Sequence, residues 1–142
     1  MAEPGVHRYD VRVYFEDTDA GGIVYYANYL RYAERARTEM LREAGIESSE
    51  LMARDGIALA VRRCNVDYLR PARLDDMLQV ETRVLDVGGA SLKAEQVVMR
   101  GGKELVRMEL KLGCLGADGR PARMPGSVRD RLKEIHAMKE QA

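Results

Sequence analysis

The 142-residue chain has few of the side chains on which many enzyme classes depend: two cysteines, two histidines and no tryptophan. His7 and His136 both lie near the termini, so a Cys-His or Ser-His-Asp nucleophilic system is hard to assemble. Cys64 and Cys114 lack CxxC spacing and neighbouring metal ligands, and each lies in an apolar run typical of a buried, reduced thiol. We therefore expect no metal site and no cofactor.

Other motifs and charge patterns are absent as well. The chain has no P-loop, no G-x-G-x-x-G and no G-x-S-x-G, which argues against NTPases, dinucleotide-binding enzymes and α/β-hydrolases. Lys plus Arg (23) equals Asp plus Glu (23), so no overall field favours nucleic acid or an anionic membrane. No apolar run approaches the ~18 residues of a membrane span, and the first five residues lack the apolar region of a signal peptide. We expect a cytoplasmic protein without a membrane span or a nucleic-acid partner.

Length and periodicity predict one α+β domain. A hydrophobic fraction of 46% with 32% charged residues is ordinary for a globular chain, and 142 residues leave no room for a second domain. We expect a single domain over 1–142, with its core at about 8–126 and a charged tail with a frayed helix at about 127–142. Apolar spacing predicts a strand at about 8–16, a helix at about 27–44 and a short helical or irregular link at about 47–55, followed by strands at 57–68, 77–87, 91–100 and 103–115.

Glycines mark the turns between these elements. Gly45 is a good residue to end the long helix, and Gly101-Gly102 is a two-residue hairpin signal. Consecutive strands joined by tight glycine turns make an antiparallel meander. One amphipathic helix followed by such a meander is an α+β layout in which the sheet must cover the helix.

The most informative stretch lies where the first strand gives way to the long helix, at 15–29. Three carboxylates, Glu16, Asp17 and Asp19, stand here with the pair Gly21-Gly22. A helix N-terminus offers unpaired N–H groups and a partial positive charge that can hold a developing oxyanion. Asp19 can present a carboxylate to the same bound atom, and the glycines let the backbone pass close to a ligand.

Other uses of the two aspartates are weaker. Asp17-x-Asp19-x-x-Gly22 matches the first, third and sixth positions of a calcium loop, but the twelfth position is Asn28 instead of Glu. Phosphoryl transfer needs a partner lysine that the stretch does not offer. For Asp17 we favour a structural role, in which the carboxylate accepts hydrogen bonds from turn N–H groups.

Three segments carry a resemblance to a known family: Glu16 to Tyr25, Tyr32 to Glu39 and Val66 to Asp76. Together they resemble the 4-hydroxybenzoyl-CoA thioesterase family, and most closely its YbgC-type branch, which is associated with the Tol-Pal envelope system. The resemblance covers roughly residues 8–126. It implies the hotdog fold, in which a curved antiparallel sheet wraps one long helix. It also implies acyl-CoA as substrate, with acyl carrier protein as an alternative carrier, and a homodimer that pairs into a homotetramer with sites between subunits.

The resemblance also assigns roles to residues. Asp19 matches the family's catalytic carboxylate, as nucleophile or general base, and the backbone N–H at the helix start near Tyr26 would polarise the thioester carbonyl. Arginines would hold the CoA phosphates, and Arg120 and Arg123 lie roughly where the family places such arginines. The residues that we expect to bind substrate are Gly21, Gly22, Ile23, Val24, Tyr25, Arg62, Arg120 and Arg123.

The chain departs from the family in two places. The YbgC-type branch usually has histidine where this chain has Tyr26, and a phenol, which titrates near ~10, cannot shuttle protons at neutral pH. The 4-hydroxybenzoyl-CoA enzymes have an aromatic pair here, but their basic run between the middle strands is replaced by Gly88-Gly89-Ala90. Two function classes stay open: an acyl-CoA thioesterase, and a non-catalytic hotdog protein that binds acyl thioesters or envelope components. A hotdog dehydratase is disfavoured because hydration usually needs a catalytic histidine.

Overall fold

An antiparallel sheet of five strands packs against one long helix in the computed structural model, which describes residues 5–140 and their side chains as far as residue 138. The α+β layout agrees with the prediction. In chain order the elements are β1 (Val6–Arg12), α1 (Asn28–Glu43), α2 (Ser48–Asp55), β2 (Ala58–Tyr68), β3 (Met77–Val87), β4 (Ser91–Arg100), β5 (Lys103–Leu115) and α3 (Gly126–Glu140).

The strand order is β1-β3-β4-β5-β2, and all pairs are antiparallel. The predicted meander is confirmed for β3, β4 and β5. β2 instead crosses over to pair with β5, which leaves β1 and β2 as the two edges. The sheet therefore has a Tyr68 end, where β1, β2 and β4 finish, and an opposite Ala58 end.

Most predicted boundaries are confirmed, and the main difference is in β1. This strand ends at Arg12 instead of near residue 16, because Phe15–Asp17 form a 3-10 turn. The Asp17 carboxylate accepts a hydrogen bond from the Tyr14 backbone N–H (2.8 Å), which confirms its expected structural role. Gly101 and Gly102 have φ of 55° and 84°, values that a two-residue hairpin turn needs and that glycine adopts readily.

Two hydrophobic clusters form the core between the helices and the sheet. The Tyr68-end cluster lies under the first half of α1, and its largest buried members include Tyr29, Tyr32, Leu78, Leu105 and Met108. The Ala58-end cluster lies under the second half of α1 and includes Met40, Leu41, Leu51, Leu92, Leu112, Met124 and Leu132. One helix thus joins both clusters.

A buried polar network fixes α1 on the sheet. Gln96 of β4 is fully buried, and its side-chain amide donates to the Ala33 carbonyl and to the Thr82 hydroxyl, each at 2.9 Å. Its side-chain oxygen accepts from the Arg37 guanidinium, also at 2.9 Å. A satisfied network of this kind holds the helix in one position along the strands.

The C-terminal helix differs from the expected frayed tail. Val128 and Leu132 of α3 are buried, and Ile135 packs against the same cluster, so the core extends past residue 126. These residues are three and four positions apart and form one apolar face among charged neighbours. The many charged residues of this segment led to the prediction of a charged tail, although its apolar residues have helical spacing. Among residues 5–140, no helix is long and apolar enough to cross a membrane.

Candidate active site

A tight turn at the Tyr68 end presents the Asp19 carboxylate. Thr18 and Val24 form a single antiparallel bridge, and between them the Asp19 N–H donates to the Ile23 carbonyl (3.0 Å). The Gly22 N–H donates back to the Asp19 carbonyl (3.0 Å), and Gly22 has a φ of 76° that favours glycine. The turn therefore depends on Gly22 for its geometry.

The Asp19 side chain is exposed and only partly engaged. Its Oδ1 accepts a hydrogen bond from the Gly21 N–H at 2.9 Å. A Cβ on Gly21 would lie 3.3 Å from that oxygen, so glycine leaves it room. Within residues 5–140, Oδ2 accepts no hydrogen bond and is free to act on a bound molecule.

The start of α1 lies against this turn. The Asp17 carbonyl accepts from the Tyr25 N–H (2.9 Å) and from the side-chain amide of Asn28 (2.7 Å), the first residue of the helix. In the described part of the chain, the backbone N–H groups of Tyr26 and Ala27 donate no hydrogen bond. Hydrogen bonds to the Asp17 carbonyl thus connect the turn that bears the Asp19 carboxylate with the segment that bears the unengaged N–H groups.

Four tyrosines surround the helix start. Ring centroids are 4.8 Å apart for Tyr25 and Tyr26, 6.2 Å for Tyr26 and Tyr68, and 5.8 Å for Tyr68 and Tyr29. The Tyr68 hydroxyl donates to the Tyr26 carbonyl at 3.2 Å, so the end of β2 supports the peptide that follows Tyr26. The Tyr29 hydroxyl accepts from the Ala72 N–H at 2.9 Å, which joins the β2–β3 loop to the same cluster.

The pKa values of Tyr25, Tyr29 and Tyr68 are raised. The Tyr26 hydroxyl raises the pKa of Tyr25, and the negative charge of Asp19 adds to this effect. Burial is the main cause of the raised pKa of Tyr29 and of Tyr68. All three phenols therefore stay protonated at neutral pH, which leaves proton abstraction to a carboxylate.

The structure brings together part of the predicted substrate-binding set. Gly21, Gly22, Ile23 and Tyr25 lie in or directly after the Asp19 turn, and Ile23 bridges to Arg73. Val24 is buried beneath the turn in the Tyr68-end cluster, where its side chain supports the loop.

The three arginines that we expected to bind substrate do not lie beside the Asp19 turn. Arg62 is on β2, where its side chain lies over Gly113. Arg120 and Arg123 flank Pro121, which bridges to Leu115 at the Ala58 end. β2 spans this distance with eleven residues, roughly 30 Å at about 3.3 Å per residue. Within one chain, Arg120 and Arg123 are therefore far from Asp19.

Sequence reasoning missed Asn28 and Tyr68. The sequence signal for Asn28 is an Asn at the start of the predicted helix, a position where its side chain often forms a structural hydrogen bond. Tyr68 lies in the segment Val66 to Asp76 that carries the resemblance, but its contact with Tyr26 forms only when β2 reaches the helix start, so the sequence gave it no role. Both residues position the Asp19 turn or the Tyr26 peptide.

A five-stranded antiparallel sheet packed on one long helix is the layout of the hotdog fold that the resemblance predicted. The chain belongs to the thioesterase-like superfamily, whose family model matches residues 13–132. It is 45% identical to the acyl-CoA thioesterase YbgC of Haemophilus influenzae, over 75% of this chain and 79% of that protein. It is 41% identical to the acyl-CoA thioester hydrolase YbgC of Escherichia coli O6:H1, over 89% of this chain and 96% of that protein.

A solved structure agrees with this assignment. The probable thioesterase from Bartonella henselae is 33% identical and superposes with a TM-score of 0.81, covering 84% of this chain and 99% of that one. The predicted hotdog fold and the family resemblance are both confirmed.

Proposed function

We propose that the protein hydrolyses acyl-CoA thioesters, with Asp19 as the catalytic carboxylate and the Tyr26 N–H as oxyanion donor. One observation carries the proposal: Asp19 has a free carboxylate oxygen, and the backbone next to it is hydrogen-bonded through the Asp17 carbonyl to a helix start where the Tyr26 and Ala27 N–H groups are unengaged. The names of the YbgC relatives support the acyl-CoA substrate.

The chemistry follows from these groups. In the general-base route, Asp19 removes a proton from water, and the resulting hydroxide adds to the thioester carbonyl carbon. The Tyr26 N–H holds the oxyanion, the C–S bond breaks, and CoA leaves as a thiolate. In the nucleophilic route, Asp19 itself adds to the carbonyl, expels the thiolate and forms an anhydride that water then hydrolyses. A thiol with a pKa near ~8.5 leaves readily, so the step needs little help from a general acid, and the histidine that Tyr26 replaces is not required.

Thiol release from a panel of short, long and aromatic acyl-CoAs tests the proposal. We expect turnover with at least one member and a loss of about 10²- to 10⁴-fold in Asp19→Asn, the range for removal of a general base. Asp17→Asn is the control for disturbance of the loop, because the Asp17 carboxylate accepts a hydrogen bond from the Tyr14 N–H and has no proposed role in the reaction. Binding of acyl-CoA without turnover would support the alternative, a non-catalytic acyl-thioester-binding protein.

The site is proposed to be completed by a second subunit. β2 is an edge strand whose outer backbone edge is open, and such edges invite pairing. If two copies pair antiparallel along β2, the Ala58 end of each meets the Tyr68 end of the other. Arg120 and Arg123 of the partner copy then approach Asp19, which accounts for their distance from it within one chain. Pairing of two such dimers would give the expected homotetramer.

Mixed dimers distinguish this arrangement from one within a single chain. Asp19→Asn and Arg120→Gln/Arg123→Gln chains are each expected to be weak alone. After unfolding and refolding together, half of the dimers combine the two chains, and two-fold symmetry gives each of these one intact site. Recovery of about a quarter of the wild-type activity is expected. No recovery, with dimers verified by light scattering, would exclude the shared site but leave the Asp19 chemistry intact.

The cytoplasmic location, which we expect from the lack of an apolar signal region and of a long apolar run, stays a prediction. The association with the Tol-Pal system, which the resemblance implies, also stays a prediction. Fractionation of cells that express a tagged chain tests the first. Co-purification with Tol-Pal components tests the second.

A further inference from the structure

Four cations gather on the sheet face that points away from α1. Arg63 lies directly opposite Lys111 in the β2–β5 pairing, and Lys111 lies directly opposite Lys93 in the β5–β4 pairing. The side chain of Arg62 lies over Gly113, two residues from Lys111 on the same face. These residues, which we call the cation row, place like charges side by side, an arrangement that costs stability.

Two other cations on this face are neutralised by carboxylates. Arg8 pairs with Glu81 at 2.9 Å, and Arg107 pairs with Glu95 at 2.8 Å. Among the described side chains, no member of the cation row forms an ion pair. The row is therefore a strip of cations without ion pairs, on a face where Arg8 and Arg107 have carboxylate partners.

Two bulges shape the strip. On β2 the register shifts between Val61 and Arg63, so that Arg62 and Arg63 both reach the outer face. A Cβ on Gly113 would lie 2.5 Å from the Arg62 Cδ, so glycine makes the room in which that side chain lies. On β3 a second shift between Val84 and Asp86 adds Leu85 beside the strip. Bulges commonly re-aim side chains in this way.

The two bulges flank one shallow depression of about 140 Å³. It is lined by Arg63, Lys93 and Lys111 together with Leu85 and Glu109. Neighbouring strands are about 4.8 Å apart, so the backbone positions of Lys93 and Arg63 are separated by about 10 Å. Linked phosphates can therefore contact more than one cation, while Leu85 offers an apolar contact at one end.

We propose that the cation row binds a nucleoside diphosphate, with its phosphates on Arg63, Lys93 and Lys111 and its base against Leu85. Arg62 adds charge at the far end. The acidic neighbours are Glu109, which lines the depression, and Asp86, which lies opposite Lys93; they leave the strip with a net positive charge. The ligand is a free nucleotide or the nucleotide part of CoA, which share this chemistry.

Calorimetric titration of the full-length wild-type protein with ADP, pyrophosphate, CoA and pantetheine tests the proposal without any need for turnover. We expect ADP, pyrophosphate and CoA to bind and pantetheine not to bind. In Lys93→Gln/Lys111→Gln the dissociation constants for ADP and pyrophosphate should rise at least about 10-fold, because charge-assisted contacts to phosphate are lost. Lys103→Gln, an exposed lysine at the other end of β5, is the matched control and should change neither.

Leu85→Ser tests the contact with the base independently of the contacts with the phosphates. In this variant ADP should bind more weakly, and the affinity for pyrophosphate should not change. If CoA binding weakens in the double variant and KM for acyl-CoA rises, the ligand is the substrate's own nucleotide. If ADP binding weakens while KM is unchanged, the ligand is a free nucleotide. Absence of ADP and pyrophosphate binding at millimolar concentration, or equal weakening in Lys103→Gln, would overturn the proposal.

Discussion

The two ends of the sheet differ in how completely they are closed. At the Ala58 end, α2 and α3 cover the cluster that contains Leu51, Met124 and Leu132, and the apolar side chains are buried. At the Tyr68 end, Tyr26 is 60% exposed and Phe15 is 81% exposed, although Tyr29 and Tyr32 beneath them are buried. One helix runs through both ends, so the closed end can stabilise the helix whose open end carries the candidate chemistry.

The largest expected effect on stability lies at the closed end. Leu132→Ala removes a fully buried side chain of α3 and should lower the free energy of unfolding by about 2–5 kcal/mol. Chemical denaturation measures this change. The kcat of the folded fraction should stay at the wild-type value, because Leu132 is remote from Asp19. Met52→Ala, at a half-exposed position of α2, should cost less than about 0.5 kcal/mol. A large loss of kcat in Leu132→Ala would show that the two ends are not separable.

Asn28→Ala removes a hydrogen bond that connects the helix start to the Asp19 turn. Loss of the 2.7 Å hydrogen bond to the half-buried Asp17 carbonyl should cost about 0.5–1.5 kcal/mol in stability, because that carbonyl keeps its hydrogen bond from the Tyr25 N–H. We also expect kcat/KM for thioester hydrolysis to fall about 10-fold, since a catalytic group displaced by a fraction of an ångström loses rate. Thr38→Ala, on the same helix but at its exposed side, is the control. Equal kcat/KM in Asn28→Ala and wild type would contradict the positioning role.

Tyr68→Phe tests a smaller contribution at the open end. The substitution keeps the ring contacts with Tyr26 and Tyr29 but removes the hydroxyl that donates to the Tyr26 carbonyl. A net hydrogen bond is worth about 0.5–1.5 kcal/mol, so kcat should fall about 2- to 10-fold with little change in KM. Tyr14→Phe, at an exposed position, should leave both parameters unchanged. A purely structural role for Tyr68 would lower thermal stability without the selective change in kcat.

The smallest effect concerns acid stability at the open end. Burial disfavours the charged form of Asp76, but hydrogen bonds from the Arg73 N–H and the Arg100 guanidinium outweigh it and hold the pKa below its ordinary value. A lowered pKa in the folded state contributes stability above the unfolded pKa, and this contribution is lost as pH falls through the folded value.

Asp76→Asn should therefore reduce stability at pH 7 by less than about 1 kcal/mol, and the difference from wild type should vanish in acid. Thermal melts between pH 2 and 7 measure it. Asp118→Asn, which alters an exposed loop carboxylate at the Ala58 end, should show no such convergence. A difference that grows as pH falls would contradict the assigned sign.

Local signals were enough to predict most elements. The strands β3, β4 and β5 have the bounds that alternation predicted, and α1 ends at Glu43 before Gly45, because side-chain period and glycine turns act over a few residues. The same signals could not predict the pairing of β2 with β5, since register and strand order depend on contacts far apart in the chain. The 3-10 turn that shortens β1 also escaped notice.

The sequence by itself determined the elements, the turn chemistry and the candidate carboxylate, because each of these depends on neighbouring residues. Only the tertiary structure decided that α3 belongs to the core, that Tyr68 supports the Tyr26 peptide, and that Arg120 and Arg123 lie far from Asp19 within one chain. The physical reason is that burial and hydrogen bonding between distant segments are properties of the packed chain. The sheet, with strands about 30 Å long, also separates Asp19 from Arg120 and Arg123, which the family resemblance assigns to one site.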